Sequence, residues 1–288
     1  MKRSTLSVLL LILLLDFSVY SQENNFTDRK PKYGLFLHFG LNLHTSNFSE
    51  LQDIPSCCND NMSGHGTGLS FGGLFEYPIE DYWGLNLRLA ISDLSGLLTQ
   101  EQNFRAMVYD QSIDDFKPVN GIFEYHLETN LGALVFQPYA YYQLKDNLFA
   151  LGGFDLGIFT TQKYDYYEKI LKPDYGYFSE TNRSRIRNSR KGDFHEASSI
   201  YFGLSLGASY LLRMNHDSSI FLAPEFIYTF IITPVVPNSG WTIHNMKFGF
   251  SVKYMEPPPP PPPPDEPLEA PMPRYPKPLK PSEILVKV

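Results

Sequence analysis

From Trp83 to Ile91 the chain alternates with a period of two. Trp83, Leu85, Leu87, Leu89 and Ile91 fall on one side, and Gly84, Asn86, Arg88 and Ala90 on the other. Successive side chains of an extended strand point to opposite faces, so this pattern predicts a strand with one apolar and one polar or small face. The same beat predicts seven more strands. They run over about 33–44, 66–77, 122–142, 148–160, 198–212, 219–232 and 242–254, with tight turns at 78–81, 145–147 and 215–217.

Alternation by itself does not say which face meets solvent, because a half-buried sheet and a lipid-facing sheet share it. The rest of the chain decides. Lys2 and Arg3 precede an apolar run from Leu6 to Leu15, and Val19-Tyr20-Ser21 follows, which predicts an export signal over residues 1–21. Asp16 interrupts the run before it reaches the length of a membrane-spanning helix. No later stretch is long and apolar enough either, so a mature chain lodged in a membrane must close its strands into a barrel. The connections alternate short and long, as in outer-membrane barrels with short periplasmic turns and long extracellular loops.

The expected fold is therefore all-β: an eight-stranded antiparallel up-and-down transmembrane β-barrel over 22–255, its apolar faces toward lipid. An even strand number places both termini in the periplasm and the protein in the bacterial outer membrane. Composition agrees with this: 15% of residues are aromatic, with Tyr 19 and Phe 22, diluted by polar lumen-facing positions. The net charge of -7 argues against nucleic acid as a partner. Residues 256–288 are dominated by proline, including an unbroken run from Pro257 to Pro264, and read as an extended periplasmic linker.

Eight strands enclose an interior about wide enough for side chains to fill. Taking apolar faces as outward, Arg88, Glu124, His126, Glu128, Asp155, Glu225, Lys247 and Lys253 turn inward. Buried charges need partners, so a lumen charge network is expected. Glu124, His126 and Glu128 also have the residue types of a metal site, but side chains two apart on a strand run parallel and do not converge, so no metal or other cofactor is expected.

Cys57 and Cys58 are the only cysteines and adjoin in the first long loop; a strained vicinal bridge, an intermolecular bond and two free thiols all remain open. Arg183, Arg185, Arg187, Arg190 and Lys191 form a basic cluster in the third long loop. It suits either phosphates of surface glycolipid or, the favoured reading, charge pairing within the loop. No nucleophile elbow, Ser-His-Asp set or phosphate loop is present, so no enzyme is expected.

Several short motifs occur in order along the chain. They are Pro55-Ser56-Cys57-Cys58, Gly64-His65-Gly66-Thr67-Gly68, the arginine-rich stretch from Thr181-Asn182-Arg183 to Arg187-Asn188, Leu222-Ala223-Pro224-Glu225, and Thr233-Pro234-Val235-Val236. In these the chain resembles the amino-terminal barrel half of OmpA-like outer-membrane proteins, particularly those of green sulfur bacteria and their relatives. The resemblance implies an eight-stranded barrel, a proline hinge and, in many members, a periplasmic peptidoglycan-binding domain. This chain ends within the hinge, so peptidoglycan is expected as a partner only if such a domain follows. The expected role is structural, in envelope integrity or surface contact. The expected partners are outer-membrane lipid and lipopolysaccharide, with other envelope proteins as further candidates. A narrow, gated small-solute channel is the alternative.

Overall fold

The computed structural model describes residues 30–47, 61–178, 183–215, 219–237 and 239–257. The expected signal, the thiol pair Cys57 and Cys58 and the proline-rich tail beyond Pro257 lie outside the described residues.

Twelve strands are assigned: β1 (Lys32–Asn47), β2 (Asn61–Pro78), β3 (Trp83–Asp93), β4 (Gly96–Asp110), β5 (Asp115–Lys145), β6 (Leu148–Lys172), β7 (Tyr177–Phe178), β8 (Ile186–Asp193), β9 (Ile200–Tyr210), β10 (Leu212–Arg213), β11 (Ile220–Ile231) and β12 (Thr242–Met255). Antiparallel ladders run from β1 to β2, β3, β5, β6, β9, β11 and β12, and β12 pairs again with β1. Among the described residues the sheet thus closes on itself through eight long strands, each corresponding to one predicted from the sequence. Closure leaves no open edge in the ring, which is what a sheet in hydrocarbon requires.

On the barrel wall the predicted parity holds for every long strand except β5. Leu35 is 71% exposed, Leu89 55% and Phe248 53%, whereas the inward Asn86, Arg88 and Ala90 are buried. At the end carrying the tight turns, Tyr33 stacks beside Phe75 and Tyr254, and Phe75 beside Tyr77. Such outward rings, apolar in body and polar at the hydroxyl, form the aromatic girdle of a barrel at the lipid boundary.

The other end departs from expectation. The stretch after β3, expected as a long loop, holds β4, and the ladder to β5 passes from Asp93↔Gly132 to Gly96↔Thr129 almost without interruption. The barrel wall therefore continues upward as a long hairpin. Its β4 arm of 15 residues is about 50 Å long at ~3.3 Å per residue. β6 extends alongside and is flanked by β8, while β7 closes against the far end of β4.

Along β5 the odd-numbered residues face inward throughout, and Phe123, Leu127, Leu131, Ala133 and Val135 are fully buried. This corrects the expected orientation of β5, in which those residues faced lipid. The even-numbered Leu134 and Phe136 supply the lipid face instead. Above the barrel the outer face of the same strand meets water, so the apolar side must turn inward to find cover. The cover is a cap in which Leu98, Leu127, Tyr166, Phe194, Trp241 and Ile243 pack over the mouth. Glycine makes room at one critical point: a Cβ on Gly96 would lie 2.4 Å from Nε2 of His44, whose Nδ1 accepts a hydrogen bond from the Trp241 indole.

Candidate functional site: the plugged lumen

Below the cap the lumen is filled by two linked polar clusters. Parity aims their members inward, because each alternates with a lipid-facing residue: Arg88 between Leu87 and Leu89, Glu225 between Pro224 and Phe226, Asp155 between Phe154 and Leu156. At the centre of the first cluster the Arg88 guanidinium donates to both oxygens of Glu225, at 2.7 and 3.1 Å. Ser251 and Ser209 donate to Glu225 at 2.9 and 3.3 Å, and His38 Nε2 lies 3.1 Å from it. Arg88 also donates through Nε to Asn86, which in turn donates to Glu76, and Lys253 binds the same Glu76 oxygen at 2.5 Å. The guanidinium packs over the rings of Phe36 and Tyr139.

The second cluster surrounds Asp155. Lys247 at 2.9 Å, Gln137 at 2.8 Å, Ser205 at 2.7 Å and the Tyr139 hydroxyl at 2.6 Å all donate to it. Three carboxylates, Glu76, Asp155 and Glu225, thus face three cations, Arg88, Lys247 and Lys253, all buried. The Arg88 and Glu225 side chains are 0% exposed. In a site this dry, charge balance and saturated hydrogen bonding are what make the buried ions tolerable.

Five of the eight residues expected in the lumen network, Arg88, Asp155, Glu225, Lys247 and Lys253, are found there. Glu124, His126 and Glu128 are not. They sit on the outer face of the β5 extension, where Glu124 lies 3.7 Å from His126 and His126 stacks on Tyr167. The parity of β5 is opposite to the expected one, and the same inversion turns Gln137 and Tyr139 into the lumen. Glu76 and His38 were legible as inward positions, since Glu76 lies between Phe75 and Tyr77 and His38 between Leu37 and Phe39, but their part in the network depends on which strands meet across the barrel. Among the described residues no group of three or more His, Cys, Asp or Glu is placed to hold a metal ion.

The basic cluster does not form one patch. Arg187 pairs with Glu168 at 2.7 Å and Lys191 with Asp165 at 2.6 Å, a hydrogen bond that raises the Lys191 pKa. Arg185 donates to four backbone carbonyls, those of Ile170, Pro173, Asp174 and Gly176. Arg183 lies over the Tyr109 ring, and Arg190 stands in the ladder opposite Tyr166.

At the hairpin tip, Lys117 and Ser112 donate to Asp110, and these bonds bring its carboxyl down to about 2. A depressed carboxylate stabilises the fold above its unfolded pKa, roughly 3.9, and loses that contribution as pH falls through the folded value. The Asp110 carboxyl carbon should therefore titrate near pH 2 by NMR, and Lys117→Met should move its midpoint upward. An unchanged midpoint would exclude Lys117 as the main cause.

A closed antiparallel barrel with a lipid-facing apolar belt, an aromatic girdle and a polar filled lumen defines the class of transmembrane β-barrels. The chain belongs to the outer membrane protein beta-barrel domain family, which matches residues 17–236. No curated protein sequence matches it. Similar solved structures include the attachment invasion locus protein Ail of Yersinia pestis, at 8% identity over 78% of this chain and 99% of that one, with a TM-score of 0.31. The outer membrane protease OmpT from Escherichia coli is similar at 10% identity over 82% and 100%, with a TM-score of 0.29. Neisserial surface protein A is similar at 12% identity over 77% and 97%, with a TM-score of 0.23. Likeness this distant says nothing of activity.

Proposed function

We propose that this chain is a non-conducting, non-enzymatic outer-membrane barrel of OmpA-like type, serving envelope integrity and surface contact. In this reading residues 1–21 export the chain, 22–255 form the barrel and 256–288 are a periplasmic tail. Both termini lie in the periplasm, and the long hairpin stands outside the cell among lipopolysaccharide.

The observation that carries the reading is that two buried layers of side chains lie along the passage. The charge clusters fill the lumen, and the apolar cap around Trp241 covers its mouth. A gate made only of ion pairs opens when those pairs exchange, but a packed apolar layer above it does not titrate or swap partners. The lumen carboxylates also argue against catalysis, since each is buried against a cation and out of a substrate's reach.

Planar-bilayer recordings test this against the channel alternative. The wild-type protein should give no steady conductance, and removing both charges of the central pair with Arg88→Met and Glu225→Gln should still give none, because the cap remains. Steady unitary currents from the wild type, abolished or enlarged by the double replacement, would establish the channel instead. Heat-modifiable migration in detergent gels checks the barrel itself, and a protein that stays soluble without detergent would overturn the membrane reading.

A further inference from the structure

At the far end of the hairpin is a cavity of about 540 Å³ between the β4–β5 turn and the segment leading into β7. Asp110, Lys117, Asp174, Tyr175, Tyr177 and Arg185 line it. The geometry points to a binding site for an uncharged sugar ring, held against the tyrosines and hydrogen-bonded by Asp174.

The walls are built in place. Arg185 ties together the carbonyls of Ile170, Pro173, Asp174 and Gly176, so the segment wraps around one guanidinium. Gly176, at φ 92°, brings that segment against β4, where a Cβ would come within 2.3 Å of Val108. Tyr177 is fixed in the ladder opposite Tyr109. Lys117 bridges the two sides, paired with Asp110 and resting 4.7 Å from the Tyr175 ring centre. A cavity pre-shaped in this way loses little order on binding, which favours a ligand with few contacts.

The charges narrow the ligand class by elimination. Arg185 is spent on backbone carbonyls and Lys117 on Asp110, so no uncommitted cation waits for a phosphate or sulfate. Asp174 has no ion-pair partner among the described residues, and one carboxylate is too few for a metal ion. A cationic ligand would find only Asp174, an exposed carboxylate whose single ion pair adds little, because Asp110 is already held by Lys117. What remains is a neutral molecule with an apolar face and several hydroxyls. Tyr175, 49% exposed even with Lys117 over its ring, offers apolar surface, and Asp174 and Gln111 line the same cavity with hydrogen-bonding groups. A sugar ring, with C–H groups on one face and hydroxyls around its rim, has this shape and polarity.

The inference rests on the reading that the hairpin end faces outside, where sugars are found. Saturation-transfer NMR on the folded protein in lipid nanodiscs tests it with maltotriose and N,N′,N″-triacetylchitotriose as neutral probes and a heparin hexasaccharide as the anionic control. At least one neutral trisaccharide should show transfer. Binding should weaken at least tenfold in Tyr175→Ala and Asp174→Ala, and it should survive in Tyr175→Phe and in Tyr167→Ala, outside the cavity. Heat-modifiable migration confirms that each variant is folded.

No transfer from either neutral probe, transfer unaffected by Tyr175→Ala, or stronger binding of heparin would each overturn the inference while leaving the barrel reading intact. Competition by lipopolysaccharide added to the nanodisc would assign the sugar to the membrane's own glycolipid. Unchanged binding in its presence would assign it to a glycan from elsewhere.

Discussion

Replacing Arg88 by alanine is expected to destabilise the folded barrel by about 3–5 kcal/mol, the range for breaking a buried ion pair by removing one partner. The reason is less the lost attraction than the carboxylate left behind. Glu225 is fully enclosed and has taken a two-point hydrogen bond from the guanidinium. Ser209, Ser251 and His38 remain beside it, and Lys253 lies 3.7 Å away, too far for a comparable bond.

The double replacement Arg88→Met with Glu225→Gln removes both charges at similar volume, and it should recover most of the loss. The measurement is urea unfolding from lipid vesicles followed by tryptophan fluorescence, with Trp83 and Trp241 as reporters. If Arg88→Ala costs no more than about 1 kcal/mol, the pair behaves like a solvent-exposed one and the lumen is wetter than described.

The second large effect separates two solvents along one strand. Phe136 and Glu124 both lie on the outer face of β5, but Phe136 belongs to the lipid belt opposite Leu89 and Leu156, whereas Glu124 stands on the extension above it. Phe136→Arg should cost about 2–4 kcal/mol, the penalty for a cation near the middle of a bilayer. Glu124→Arg, on the same face, should change stability by no more than about 0.5 kcal/mol, as at an ordinary exposed site. The same unfolding assay reads both variants. Equal costs would mean that the belt boundary on β5 is misplaced.

That boundary also explains where sequence reading worked and where it stopped. On β3, β11 and β12 the more apolar face meets lipid, so taking that face as outward gives the right parity, even though Phe221, Ile227 and Ile231 of β11 and Ile243 of β12 are apolar and turn inward. Arg88, Glu225, Lys247 and Lys253 follow from it. β5 runs 31 residues and leaves the membrane partway along, so its outer face passes from lipid to water while its parity never changes. Leu127 is apolar because it faces the cap, Phe123 because it packs with Val108, Ile170 and Phe178 inside the extension, and Leu134 and Phe136 because they face lipid. A period of two records only that two faces differ, and nothing local distinguishes these reasons. The hairpin arm β4 carries no apolar alternation for a related reason: Gln100, Glu101, Gln102 and Asn103 lie on the extension, where no greasy outer face is required.

The cavity at the hairpin tip shows the same division of information. Tyr175, Arg185 and Lys117 could each be seen as surface residues, and Arg185 stood out in a basic cluster. That its guanidinium is consumed by four carbonyls, and that Lys117 reaches Asp110 and Tyr175 from another strand, depends on how the β4–β5 turn meets the segment before β7.

By itself, the sequence determined the all-β class, the eight strands of the closed ring, the alternation of tight turns with long connections and the inward aim of the charges on the short strands. These are properties of near neighbours along the chain, set by the two-residue repeat of an extended backbone and by what turns tolerate. Only the tertiary structure decided which carboxylate meets which cation, that an apolar cluster around Trp241 packs over the mouth, and that β5 changes solvent halfway. Those outcomes depend on contacts between residues as distant in sequence as Arg88 and Glu225, and such pairings follow from barrel closure and register, which no local pattern carries.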